Sequence, residues 1–119
     1  MRTVQRHAFV AIPLLRAIEA LPAAVARTEG LELTGRAEGT RLVATFSAHR
    51  AHVRYHGRGG WIDLSSASSW RCEMTLRLDA TNPGLVETVL LAVRSTLEEL
   101  ASRGVDLAGD ARMGVCRTA

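Results

Sequence analysis

The densest run of chemistry-bearing side chains in this chain is HRAHVRYHGRGG, residues 49–60, with three of the four histidines and three of the fifteen arginines. Imidazoles can ligate zinc, guanidiniums can bind phosphate, and both can simply wet the outer face of a strand. Spacing argues against the metal. On an extended chain His52 and His56 stand about 13 Å apart at Cα, and a zinc ion with bonds of about 2 Å cannot hold both. A helix would bring them together, but the glycines and the Val53/Tyr55 apolar face argue against a helix. Supporting Cys, Asp or Glu at ligand spacing are missing, so neither a metal nor a cofactor is expected.

Phosphate binding needs a basic surface. Arg50, Arg54 and Arg58, with Arg71 and Arg77 from another strand, supply positive charge, but Glu73 and Asp79 share the Arg71/Arg77 face. The formal charge is +3, and every positive side chain is arginine, which a GC-rich genome explains without selection for phosphate. RNA-reading sheets also expose aromatics for stacking, whereas Phe46, Tyr55 and Trp70 have inward parity. Nucleic acid is therefore not the expected partner. The run reads as the wet side of a strand with cross-strand Arg–Glu pairs.

The remaining candidates are weaker. The Gly57–Gly60 turn lacks the strand-before, helix-after setting of a phosphate loop. Ser65, Ser66, Ser68 and Ser69 have no nucleophile elbow around them. Cys72 lies on an apolar strand face, where a thiol is core and not a nucleophile. No catalytic residue is assigned.

A sheet must position these residues. Val4, Ala8, Val10 and Ile12 share one parity in a first strand. Pro13 stops it and suits a first helical turn, after which Leu14, Leu15, Ile18 and Leu21 recur at helical spacing. Pro22 is expected to break that helix, because its ring clashes one turn back and it donates no hydrogen bond. A second short helix would then cover Ala23–Thr28 and end at Gly30. From Leu31 the period is two, with a tight turn at Glu38–Gly39. Leu42, Ala44 and Phe46 lie on even positions and Ala51, Val53 and Tyr55 on odd ones, so a turn or bulge is expected between Ser47 and Arg50. Ile62 and Leu64 follow the next turn. In the clearest strand Trp70, Cys72, Met74, Leu76 and Leu78 face one way, and Arg71, Glu73, Thr75, Arg77 and Asp79 the other.

One long helix closes the pattern. Asn82 caps it, Pro83 takes its first position and Gly104 ends it. Val86, Val89, Leu90, Val93, Leu97 and Leu100 form its stripe, and about 20 residues span roughly 30 Å. The single domain covers residues 1–105, and residues 106–119 read as an irregular tail. No apolar run approaches the roughly 18 residues of a membrane span, and the N-terminus lacks the order of a signal peptide. Cys72 and Cys116, without CxxC spacing, favour free thiols in a reducing cytoplasm.

The expected fold is α+β: a curved antiparallel sheet of about six strands gripping the C-terminal helix, with two short helices after the first strand. This order resembles the START-like helix-grip superfamily (SRPBCC), which includes polyketide cyclases and lipid-transfer proteins. It is carried by TVQRHAFVAIP, the Pro13 and Pro22 helix starts, WRCEMTLRLDA and NPGLVETVLLAVRSTLEELASRG. The match is one of topology from Thr3 to Gly104, without a shared motif. The family implies a cavity between sheet and helix for an apolar ligand and, in its enzymes, aldol cyclisation of a polyketide chain. Inward parity then offers Phe46, Tyr55, Trp70, Cys72 and Met74, with Leu90, Val93 and Leu97 from the helix.

Two departures bear on this expectation. The family usually has seven strands and aromatic-lined cavities; here only five aromatics exist, so the pocket is small or plugged. Tyr55 has a proton to give, but parity places no carboxylate beside it. Binding of a small hydrophobic molecule is thus expected ahead of catalysis. The alternative is an interaction or assembly protein, as homo-oligomer or partner-binding module, since the adjacent Leu90 and Leu91 offer more apolar surface than one core needs.

Overall fold

The computed structural model describes residues 2–36, 41–43, 46–80 and 82–102. Its elements are β1 (Arg2–Val10), α1 (Leu14–Ala26), β2 (Leu31–Arg36), β3 (Arg41–Val43), β4 (Phe46–Tyr55), β5 (Arg58–Ser68), β6 (Arg71–Ala80) and α2 (Pro83–Ser102). The strands form one curved antiparallel sheet in the order β1-β6-β5-β4-β2, and the short β3 pairs with the start of β4. Residues beyond Ser102, including the expected tail, lie outside the described residues.

Alternation builds the dry face. Along β6, Cys72, Met74, Leu76, Leu78 and Ala80 are buried while Arg77 and Asp79 are exposed. The register Val4↔Leu78, Leu76↔Ile62 and Ile62↔Ala51 carries that face from strand to strand. Gly60 lets β5 and β6 approach, since a Cβ there would overlap the Arg77 carbonyl oxygen.

Two expectations are corrected. Pro22 does not break the first helix; α1 is a single helix of 13 residues with Pro22 inside it. A mid-helix proline costs about 3 kcal/mol. Leu21, Ala24 and Val25 are fully buried around it, and each large apolar side chain so buried contributes about 1.5–3 kcal/mol. Packing outweighs the lost hydrogen bond. Second, no turn separates Ser47 from Arg50, because β4 runs unbroken from Phe46 to Tyr55. The chain reverses between Val43 and Phe46, which pair with each other, so Leu42 pairs with Ser47 of the odd set, while Phe46 stands at an even position of β4, on the parity of Arg50 and not of Ala51. The turn expected at Glu38–Gly39 lies outside the described residues.

Asn82 caps α2 as its sequence predicts, its side-chain oxygen accepting from the Gly84 amide at 2.9 Å. All six stripe residues from Val86 to Leu100 are buried, and Leu91 is 38% exposed. The dry face is shared by two helices. α2 rests on β1 and β6, α1 on β2 and β5, and the helices rest on each other. The Ala11 amide donates to Glu98 at 3.1 Å, tying the β1–α1 connection to α2.

Candidate functional site

Met74, Leu90, Val93 and Leu97, expected to line a ligand cavity, are 0–1% exposed members of the core. Trp70 is a correction: it lies in the turn before β6 and is 60% exposed. Strand alternation ends at Arg71, so parity does not govern it. Phe46 opens β4, and its side chain lies outside those described.

Tyr55 does border open space. At the end of β4 a solvent-open cavity of about 410 Å³ is lined by Thr28, Glu29, Tyr55, His56, Thr88, Val89 and Ala92. Three local structures make it. The first is the β4–β5 turn, whose two central residues His56 and Gly57 have φ of +48° and +84°. Hairpin turns with positive φ at both centres match the twist of the flanking strands. The second is the end of α1, where Thr28 donates from Oγ1 to the Ala24 carbonyl at 2.9 Å and Gly30 takes φ +84°. The third is the outer flank of α2, where Thr88 donates to the Gly84 carbonyl at 2.9 Å.

The turn and the helix end are locked together. The His56 amide donates to the Gly30 carbonyl at 2.9 Å, and the His56 ring covers Gly30 so closely that a Cβ would overlap it. Tyr55 and His56 stand edge to face, ring centroids 4.5 Å apart at 68°. The cavity therefore brings together a phenol, an imidazole and the exposed Glu29 carboxylate beside the apolar Val89 and Ala92. Alternation could not reveal Glu29, since it belongs to a turn. The sequence signals for this corner were the parity of Tyr55 and the glycines Gly30 and Gly57, both in places where the chain must bend.

The opening run divides by parity. His52 and Arg54 are exposed on the outer face, His56 is exposed in the turn, and His49 is 3% exposed. Arg50 grips Asp63 through two bonds of 2.7 and 2.8 Å and lies 4.0 Å from the Trp61 ring centre. Arg54 meets Glu32 at 3.2 Å. These are the cross-strand pairs expected of a wet strand face. Sequence parity gave no attention to Trp61 or Phe9, yet both take outward positions: Arg71 stacks over Phe9 at 4.3 Å and Trp70 at 5.3 Å. Cys72 is a buried free thiol whose pKa burial pushes up to about 11. Among the described residues, no three metal-binding side chains cluster, and no helix is long and apolar enough to cross a membrane.

No protein-family model and no curated protein matches the chain. Among solved structures, TTHA0849 from Thermus thermophilus is similar at a TM-score of 0.43 and 15% identity, covering 86% of this chain and 98% of that one. The Zhui aromatase/cyclase from Streptomyces sp. R1128 is similar at a TM-score of 0.28 and 16% identity, covering 95% of this chain and 92% of that one.

Proposed function

We propose that this chain binds a small, largely apolar molecule with a polar end in the cavity at the end of β4. The observation that carries this reading is the cavity's composition: about 410 Å³ lined by the apolar Val89 and Ala92 together with Tyr55, His56 and Glu29. Small-molecule sites are commonly concave spaces of roughly 300–1,000 Å³ with a few convergent polar groups. The site lies at the margin of the sheet–helix interface, and its ligand would enter from solvent. The free, buried Cys72 fits a reducing compartment such as the cytoplasm.

Cyclase-like chemistry is the enzymatic variant of the same reading. His56 supplies a base for a proton next to a carbonyl, and Tyr55 supplies an acid for the oxygen, a division of labour that general acid–base catalysis uses widely. Native mass spectrometry of the pure protein with a lipid and polyketide mixture tests binding directly. One small molecule per chain is expected, and Ala92→Trp, which fills the cavity from the exposed side of α2, should abolish it. Failure of every compound to bind the wild-type chain would sink the reading.

A second reading, contact with a protein partner or a second copy, has its own observation. Phe9 and Trp70 are 48% and 60% exposed, and Arg71 bridges them. Aromatics and arginine are the residue types enriched at interface anchors. A stable oligomer with nothing bound, dissociated by Trp70→Ala, would favour it.

A further inference from the structure

We infer that the cavity selects a protonated amine, so that its ligand is an amphipathic ammonium ion; this rests on the ligand-binding reading above. The cavity wall offers more hydrogen-bond acceptors than donors. Thr28 and Thr88 each direct the hydroxyl oxygen at a helix carbonyl, Ala24 and Gly84, at 2.9 Å. A carbonyl can only accept, so both hydroxyl protons are committed to the protein. What each hydroxyl can still offer a ligand is an oxygen lone pair. Glu29 offers only acceptors when ionised. Three of the five polar side chains lining the cavity, Thr28, Glu29 and Thr88, thus call for a donor.

Three further features act in the same direction. Thr28 and Glu29 follow the C-terminus of α1, the negative end of the helix dipole, which favours a cation. The Tyr55 ring borders the cavity, and an ammonium over an aromatic face gains cation–π attraction. Among the described residues Glu29 is the one carboxylate on the wall, while the arginines nearest in sequence, Arg27, Arg54, Arg58 and Arg94, do not line it. An alkyl ammonium places three donors against this acceptor set and its chain against Val89 and Ala92. A carboxylate ligand would bring a second anion to Glu29 and a second acceptor to the two threonines.

Calorimetric titration with octylammonium, octan-1-ol and octanoate at neutral pH separates head group from chain. Octylammonium should bind about tenfold more tightly than the alcohol, with octanoate weakest, as a charge-assisted contact implies. Glu29→Gln, at an exposed position, should remove most of the ammonium's advantage over the alcohol. Ala92→Trp should block all three. Equal binding of the three probes, or an ammonium preference untouched by Glu29→Gln, would overturn the amine selectivity while the cavity stands as a binding site. Absence of binding by any probe, or binding that survives Ala92→Trp, would remove the cavity reading together with it.

Discussion

The His56 imidazole lies directly on Gly30, and the His56 amide donates to the Gly30 carbonyl at 2.9 Å. A turn between two strands is thereby clamped to the end of a helix distant in sequence. Gly30→Ala should cost about 1–3 kcal/mol, because alanine at φ +84° is strained and its Cβ displaces the ring. Adding His56→Ala should recover the overlap but not the backbone strain. Denaturant unfolding of the two variants measures both parts; equal stability of Gly30→Ala and wild type would show that the clamp is absent.

The neighbouring histidines should behave oppositely. His49 is 3% exposed and partnered, so His49→Ala should cost about 0.5–3 kcal/mol, the range of most destabilising substitutions. His52 is exposed, and His52→Ala should stay within about 0.5 kcal/mol. Thermal melts with and without a chelator complete the test, since no shift in Tm is expected from metal removal.

Leu97 is fully buried where α2 crosses the sheet. Leu97→Ala should cost about 2–5 kcal/mol, as buried leucine truncations do. A chain ending at Asp79 loses α2 altogether and should not melt cooperatively. Val93→Trp should also destabilise, by about 1–3 kcal/mol or more, because Val93 is a 0% exposed core residue and a much larger side chain overpacks such a position.

Cys72 makes a pH prediction. Burial raises its pKa from 9.0 to about 11, so between those values the unfolded chain releases a proton that the native one keeps. Stability should therefore be intact below pH 9 and decline as pH rises towards 11, by up to about 3 kcal/mol at 1.36 kcal/mol per unit. Cys72→Ala should show a shallower decline over the same window. Identical slopes in chemical denaturation would refute the assignment. At pH 8 the native thiol should also resist alkylation that proceeds rapidly after unfolding.

Much of the fold was legible because burial imposes a period. The β6 alternation from Cys72 to Leu78 and the α2 stripe from Val86 to Leu100 are visible in the chain and are buried as their periods require. Where two local signals competed, reading along the chain went wrong. Pro22 carried a strong local cost that core contacts override, and Trp70 continued an alternation that its turn had already left. Tyr55 was found because it obeys strand parity. Glu29, Thr88 and Ala92 were not, since each belongs to a turn or a helix flank with no period pointing at a cavity.

By itself, then, the sequence determined the one-sided sheet, the capped C-terminal helix and the division of residues 51–55 between wet and dry faces, because each is a repeat that a single element must satisfy. Only the tertiary structure decided that α1 would share the dry face with α2, packed against it and against β2, β5 and β6. It alone decided that the open cavity would lie at the end of β4, against Glu29. That outcome depends on how far apart three separate segments sit once the core has closed. Distances across a packed core are set by the summed volumes of all its side chains, and no local pattern encodes that sum.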